Sequence, residues 1–295
     1  MPEVILFENV KGIGFRRKNE ALDLIRSRLD EINTKYDTSY SPQFFEINAA
    51  DFGVPQTRER LFMVASRNGV PMVPPQPTHA DANDEKVIEG SRLPYATAWD
   101  AIGELDDVDY DPALKTRGKW SGLLPSVPEG QNYLWHTERG GGEPIFGWRT
   151  RYWSFLLKLK KSRPSWTLQA SPGPATGPFH WRNRRLSVRE MARLQTFPDG
   201  HEIEGSYNSA TRQLGNAVPP AIGELLGREI MEQFLGQPQD MHLVNIPKRR
   251  CDTPRAERRT KVLPEYLTTG SKPPPHPGPG KGPRALANKL KEEAI

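Results

Sequence analysis

The apolar positions of the first 65 residues follow the periods of short strands and of one helix. Val4 to Phe7 form an apolar run, which predicts a buried strand that ends near Glu8. Phe44 to Ile47 and Leu61 to Ala65 predict two more strands. Between the first two, apolar residues recur three and four positions apart, as in an amphipathic helix: Leu22, Ile25, Leu29 and Ile32. Strands that alternate with a helix predict an α/β domain.

The pattern changes after about residue 68. Prolines, glycines and tryptophans follow to about residue 178 without a sustained period, which predicts a second, irregular domain. Ser187 and Glu190 form a capping box ahead of Met191 and Leu194, which predicts a helix. A later helix is predicted from Pro220 onward, with an apolar stripe: Ile222, Leu225, Leu226, Ile230 and Phe234. Beyond about residue 237 the chain is rich in proline and basic residues, which predicts a disordered or extended tail.

The composition limits the class of protein. The chain has 295 residues, of which 36% are apolar, enough to bury a core. It contains neither a run of about 18 apolar residues nor a signal-peptide pattern, so we expect a soluble, cytoplasmic protein. The one cysteine, Cys251, excludes an internal disulfide framework. Because the six histidines are scattered, we predict no metal site.

The net charge of +5 is divided unevenly along the chain. Residues 241–295 hold 12 Lys and Arg against 5 Asp and Glu, so residues 1–240 are slightly acidic. Among these, residues 81–111 hold ten acidic residues against Lys86 and Arg92. Phosphate affinity comes from local neutralisation and not from net charge. A bound nucleic acid would therefore meet local arginine clusters, with the acidic segment held away from it.

Four segments stand in a fixed order along the chain. They are Glu8-Asn9-Val10 after an apolar strand, Gln56 to Arg60 (QTRER), Arg185 to Gln195 (RLSVREMARLQ) and Gln213 to Pro220 (QLGNAVPP). They resemble the sixth, eighth, ninth and tenth conserved blocks of the cytosine-5 DNA methyltransferase family. Members of this family move a methyl group from S-adenosylmethionine to carbon 5 of a target cytosine. The last two strings are long and specific, and the resemblance covers roughly residues 2–236.

The resemblance implies catalytic roles for four residues. The family adds a cysteine thiolate to carbon 6 of cytosine, which makes carbon 5 nucleophilic. By resemblance, Glu8 protonates or hydrogen-bonds ring nitrogen 3 and holds the exocyclic amine, while Arg60 holds the carbonyl oxygen at position 2. Arg58 would support this site, and Asn9 would position the nucleophile loop. The residues alone leave other readings open: a turn or helix-capping pair at Glu8 and Asn9, and a solvated face at the two arginines.

Ligand contacts are implied as well. Asn216 and Ala217 are expected to contact S-adenosylmethionine, although Asn216 could instead cap the following helix. The middle region, about residues 68–184, occupies the place of the family's target recognition domain. Its expected DNA contacts are Arg163, Thr167, Arg182, Arg184 and Arg185, with Lys158, Lys160 and Lys161 as further phosphate-binding capacity. Trp153 is one of several aromatic residues here that could contact DNA together with cations such as Arg151, but a core position is the favoured interpretation for it, as for Phe155, Leu156 and Leu159.

Two features of the family do not precede Glu8 in this sequence: a glycine-containing loop for the cofactor and a Pro-Cys loop for the nucleophile. Cys251 follows Arg250 and lies beyond the tenth block, so it is not expected to be the nucleophile. The chain is therefore interpreted as a C-terminal portion of the family. It could be the subunit of a split enzyme with an N-terminal partner chain, a product without its N-terminal segment, or a non-catalytic DNA-binding remnant.

The predicted fold class is α/β: a partial Rossmann-like methyltransferase sheet, a smaller irregular and mainly β target recognition domain, and a disordered basic tail. The predicted boundaries are 1–68 for the C-terminal half of the catalytic domain, 69–207 for the target recognition domain, 208–236 for a helix that returns to the catalytic domain, and 237–295 for the tail. The predicted function is cytosine-5 methylation of a flipped base in double-stranded DNA, in restriction-modification, by a chain that is inactive alone.

Overall fold

The computed structural model describes residues 1–10, 19–106, 111–147, 151–240 and 242–268. The chain forms two compact units. The first unit consists of Met1–Asp109, Lys161–Ser171 and Ser187–Thr253, and the second of Tyr110–Lys160, Pro172–Leu186 and Pro254–Ile295. The boundaries predicted at residues 68, 207 and 236 do not coincide with these units, because each unit is assembled from three segments that are distant in sequence.

The regular elements lie mostly in the first unit. The strands are β1 (Val4–Val10), β2 (Gln43–Asn48), β3 (Glu59–Ser66), β4 (His79–Ala80) and β5 (Leu93–Pro94). The α-helices are α1 (Asn19–Tyr36), α2 (Glu85–Ile88), α3 (Ala98–Ile102), α4 (Val188–Leu194), α5 (Tyr207–Asn216), α6 (Pro220–Leu235) and, in the second unit, α7 (Pro264–Thr268). None of the helices in the described residues has the length and apolar character that a membrane crossing needs.

The main sheet of the first unit has the order β1-β3-β2. β3 runs antiparallel to both neighbours, so β1 and β2 run in the same direction and are joined by α1. This crossover confirms the predicted α/β class, and the three strands and the helix lie where the apolar pattern predicted them. β3 departs from an all-parallel Rossmann sheet. Its connection from β2, residues 49–58, is too short for the crossover that a parallel strand requires.

β3 is the buried centre of the sheet. Its residues alternate between two apolar clusters, as the period of a strand requires. Met63 and Ala65 pack with Leu29 of α1, whereas Phe62 and Val64 pack with the stripe of α6. A strand that is buried on both faces reads as a continuous apolar run, as residues 61–65 do.

The predicted caps and helices of the later chain are present. Ser187 and Glu190 form both hydrogen bonds of the capping box at the start of α4, and Met191 and Leu194 are buried. Pro220 occupies the first turn of α6, where its missing N–H costs nothing. The inner stripe of α6 is formed by Ile222, Leu225 and Leu226, which are buried in the sheet core.

The second unit is organised around an aromatic core. Its buried cluster includes Tyr133, Phe146, Phe155 and Tyr266, and Trp120 packs against them. The prediction of a mainly β domain is wrong for the described residues: those of the second unit form turns, short 3-10 helices, the short helix α7 and isolated bridges, with no strand longer than a bridge. Frequent prolines, which cannot donate to a strand ladder, favour such turns over strands.

The predicted disorder of the tail is also wrong for residues 242–268. In the first unit, Leu243 and Ile246 pack against the sheet core, and the N–H of Arg250 donates to Asp100 at 2.7 Å. In the second unit, the Tyr266 hydroxyl donates to the carbonyl of Lys119 at 2.9 Å. Leu243, Ile246 and Tyr266 thus attach a proline-rich segment to cores that other parts of the chain form. Residues 269–295 lie outside the described residues.

Candidate active site

Glu8 and Arg60 form an ion pair on one face of the sheet. Nε of Arg60 lies 3.0 Å from Oε1 of Glu8. In the register of β1 and β3, Glu8 lies opposite Phe62 and Val10 opposite Arg60, so the two charged residues are diagonal neighbours. Their side chains are 29% and 15% exposed, respectively, so the pair is accessible to a ligand. The antiparallel register therefore brings together two residues that the sequence separates widely.

The guanidinium of Arg60 is fixed by its surroundings. Its Nη1 donates to the carbonyl of Glu59 at 2.8 Å, and Nη2 makes no hydrogen bond with a described residue. Burial lowers the pKa of Arg60, while the charge and the hydrogen bond of Glu8 raise it. The guanidinium stays cationic, as arginine does in proteins.

Arg58 is buried beside this pair. It is only 1% exposed, and burial lowers its pKa to about 10, with the positive charge of Arg60 acting in the same direction. Nη2 donates to the carbonyl of Gly215 at 2.9 Å. Nε and Nη1 have no hydrogen-bond partner in the described structure. Two unsatisfied donors on a buried cation are costly and call for an acceptor, such as a ligand or an ordered water. The solvated face that the sequence allowed for Arg58 is therefore wrong.

Gln56 holds the segment that carries both arginines, and the sequence reasoning assigned it no role. The side chain is fully buried, its Oε1 accepts from the N–H of Leu168 at 3.2 Å, and its Nε2 donates to the carbonyl of Leu194 at 3.3 Å. A long buried amide can join three segments in this way. The sequence feature that could have indicated this role is the glutamine at the start of the QTRER string.

The remaining predicted residues of the catalytic and cofactor sites, Asn9, Asn216 and Ala217, lie at the end of a strand or of a helix. Asn9 is on the opposite face of β1 from Glu8, and its Oδ1 accepts from the N–H of Val10 at 2.8 Å. The nucleophile loop that Asn9 is expected to position is not found ahead of Glu8 in this sequence, so the role of Asn9 stays a prediction. Asn216 is the exposed last residue of α5, and Ala217 caps that helix through a 2.9 Å bond from its N–H to the carbonyl of Gln213.

The predicted DNA contacts divide between the two units. Arg163 and Thr167, in the first unit, are exposed, and the Thr167 hydroxyl donates to the carbonyl of Thr57 at 2.7 Å. In the second unit Arg182 is exposed and Arg185 is half-buried.

Arg184 and two of the lysines do not have the exposure that a contact with a phosphate requires. Arg184 is 5% exposed, and its Nη1 donates to the carbonyl of Arg185 at 3.0 Å. Lys158 and Lys161 are buried as well, and Nζ of Lys158 donates to the carbonyl of Val127. Buried cations of this kind brace the backbone and are not available to phosphates, so the phosphate-binding prediction is wrong for these three residues. A basic sequence cluster does not reveal which of its members turn inward.

The fold and the site define an α/β protein with a polar cluster of one glutamate and two arginines, and comparison with known proteins gives the family. Residues 1–232 match the model of the C-5 cytosine-specific DNA methylases, so the chain belongs to this family. The interpretation as a C-terminal portion only is wrong, because this match begins at the first residue and spans most of the chain.

Two similar proteins are type II methyltransferases by name. The chain is 40% identical over 244 residues to the type II methyltransferase M.SacI of Streptomyces achromogenes, a match that covers 79% of this chain and 61% of the relative. It is 33% identical over 237 residues to the type II methyltransferase M.NgoFVII of Neisseria gonorrhoeae, covering 79% and 59%. The chain thus spans about six tenths of the length of these relatives.

A solved structure shares the fold. An E. coli prophage protein described as a DNA modification methyltransferase superimposes with a TM-score of 0.51 at 18% identity, over 80% of this chain and 70% of the other. At that identity the likeness concerns the α/β methyltransferase fold alone.

Proposed function

We propose that this chain takes part in the transfer of a methyl group from S-adenosylmethionine to carbon 5 of a flipped cytosine in double-stranded DNA, within a type II restriction-modification system. The observation that carries the proposal is the Glu8–Arg60 pair, with the unsatisfied donors of the buried Arg58 beside it. The relatives are type II methyltransferases by name, which supports the same reaction.

The Glu8–Arg60 pair offers the groups that a cytosine edge requires. The Glu8 carboxyl can hydrogen-bond ring nitrogen 3 and the exocyclic amine, and can exchange a proton with nitrogen 3 as charge develops on the ring. Nη2 of Arg60 can donate to the carbonyl oxygen at position 2. The ion pair fixes the orientation of both groups before a base arrives, so that little reorganisation is needed during the reaction.

The chemistry of Asn216 fits one contact with the cofactor. Its amide is exposed at the end of α5 and can both donate to and accept from polar groups, and Ala217 follows it as the helix cap. When it is bound, S-adenosylmethionine supplies the electrophilic methyl group. These two residues would hold one edge of it.

We further propose that the chain needs a second polypeptide segment for the reaction. Its one cysteine, Cys251, is exposed and follows Arg250, which is bound to Asp100 of α3. β1 is an edge strand among the described residues, and Leu6 and Phe7, on its opposite faces, are 43% and 41% exposed. An apolar edge of this kind favours pairing with another strand. The segment would bring the Pro-Cys loop and the glycine loop of the family.

The test measures methyl transfer from radiolabelled S-adenosylmethionine to duplex DNA, with the chain alone and with a co-expressed family segment that carries those two loops. Glu8→Gln should lower transfer in the mixture by at least about a hundredfold, because proton exchange is lost, while DNA affinity changes little. Glu3→Gln is a matched control, since Glu3 pairs with Arg67 at the other end of the same strand pair but is more exposed. It should keep full activity.

Two results would contradict these proposals. Equal activity of Glu8→Gln and Glu3→Gln would remove Glu8 from the reaction. Methyl transfer by the chain alone would show that no second segment is required.

A non-catalytic DNA-binding module is the second candidate, and the position of Cys251 favours it. It predicts binding of duplex DNA without methyl transfer under either condition, so the same assay separates the two.

A further inference from the structure

The second unit presents two large aromatic side chains to solvent, next to a cation. Tyr152 is 51% exposed and Trp153 is 55% exposed, and Arg151 before them is exposed as well. Phe155 and Leu156, which follow, are buried in the aromatic core. The interpretation of Trp153 as a core residue is therefore wrong, whereas Phe155, Leu156 and Leu159 are buried as predicted. We call Arg151, Tyr152 and Trp153 the aromatic platform.

The backbone of the aromatic platform is fixed by hydrogen bonds. The hydroxyl of Tyr133 donates to the carbonyl of Arg151 at 2.6 Å, and Nδ2 of Asn132 donates to the carbonyl of Trp153 at 2.7 Å. Both donors belong to buried residues. The carbonyl of Tyr152 accepts from the N–H of Phe155 at 3.0 Å. All three carbonyls are thus held in place, and a surface ordered in advance loses little entropy on binding.

Leu156 shows that the fold maintains this geometry against backbone strain. It adopts a φ of 54°, in the left-handed region that leucine rarely enters. Its burial in the aromatic core and a 2.9 Å bond from its N–H to the carbonyl of Ala175 sustain that conformation. Strain that a core sustains directly behind an exposed aromatic pair indicates a surface with a function.

The charge beside the aromatic platform identifies the kind of partner. The guanidinium carbon of Arg151 lies 5.5 Å from the centroid of the Trp120 ring, and Nζ of Lys119 lies 5.2 Å from the same centroid. Neither cation forms an ion pair with a described residue. A partner that offers negative charge beside apolar sugar and base-edge groups fits this combination, and duplex DNA offers both.

We propose that the aromatic platform is a DNA-contacting element of the second unit, in which Trp153 and Tyr152 contact bases or sugars and Arg151 contacts a phosphate or a base edge. This inference rests on the proposed function, and it assigns to three particular residues part of the recognition of DNA.

The test uses the full chain and a fluorescein-labelled duplex pool of randomised sequence, with affinity measured by fluorescence anisotropy. Trp153→Ala should weaken binding about tenfold, the effect of one lost base or sugar contact with duplex DNA, and Trp153→Phe should restore most of it. Tyr36→Ala is the matched control, because Tyr36 is 48% exposed at the end of α1 with Nζ of Lys35 5.0 Å from its ring centroid. It should change the affinity less than about twofold.

Each outcome decides the proposal. Equal affinity of Trp153→Ala and the wild-type chain would overturn it and leave the methyltransferase proposal in place. Absence of any binding by the wild-type chain would overturn it as well. A tenfold loss in Trp153→Ala, together with no methyl transfer in the presence of the family segment, would support the platform and contradict the proposed function.

Discussion

Gly215 joins Arg58 to the QLGNAVPP string, and its replacement by alanine should disturb both. A Cβ at this position would lie 2.3 Å from the amide nitrogen and 2.4 Å from the Cα of Ala170, and 2.6 Å from the carbonyl carbon of Gln169. These atoms are backbone and cannot move aside alone. The carbonyl of Gly215 is also the acceptor for the buried Arg58. A shift of α5 would therefore weaken that bond.

The magnitude follows from three contributions. Overpacking against backbone costs about 2 kcal/mol. A weakened hydrogen bond to a buried charge costs about 2 kcal/mol more. Alanine regains about 1 kcal/mol through its higher helix propensity. The free energy of unfolding of Gly215→Ala should fall by about 3 kcal/mol.

The assay is equilibrium unfolding in urea, followed by circular dichroism. Gly227→Ala is the control, because Gly227 lies inside α6 and a Cβ there meets no heavy atom within 4 Å. That variant should be stabilised by about 1 kcal/mol. If Gly215→Ala unfolds within about 0.5 kcal/mol of the wild-type chain, the contact between α5 and the segment at Ala170 does not constrain the position of Gly215 or of Arg58, which is bonded to it.

Two further predictions concern the second unit. Tyr266→Ala should destabilise it by about 3 kcal/mol, because a buried ring is removed from the aromatic core, whereas Leu267→Ala, at an exposed position, should have little effect; hydrogen exchange of the second unit measures both. Burial lowers the pKa of Lys158 to about 8, so the folded chain releases this proton before the unfolded chain does, and stability should rise between about pH 8 and pH 10. Because methionine does not titrate, the stability of Lys158→Met relative to wild type should fall by about 2 kcal/mol from pH 7.5 to pH 10 in thermal unfolding, and a pH-independent difference would refute the shift.

Local signals in the sequence predicted local structure well. The capping box of Ser187 and Glu190, the stripe of α6 and the spacing of α1 each depend on residues a few positions apart. The α/β order followed from them. The antiparallel direction of β3 did not follow from these local signals, because it is set by the short connection after β2.

The candidate site depended on the family resemblance. No pattern in the sequence places Glu8 next to Arg60, since their contact is created by the register of β1 and β3. Among the basic residues, composition could not separate the buried Arg184 from the exposed Arg182. Composition also predicted disorder at residues 242–268, where Tyr266 is instead an anchor in the second core. Whether a residue is buried depends on how the whole chain folds, so it cannot be read from the residue type alone.

The most direct test of the central claim is the identity of the methylated base. Duplex DNA treated with this chain and the family segment, in the presence of S-adenosylmethionine, would be digested to nucleosides and examined by mass spectrometry. The Glu8–Arg60 pair predicts 5-methylcytosine in the wild-type mixture and a loss of at least about a hundredfold with Glu8→Gln. N4-methylcytosine, N6-methyladenine, or the same yield of 5-methylcytosine from both proteins would contradict the account.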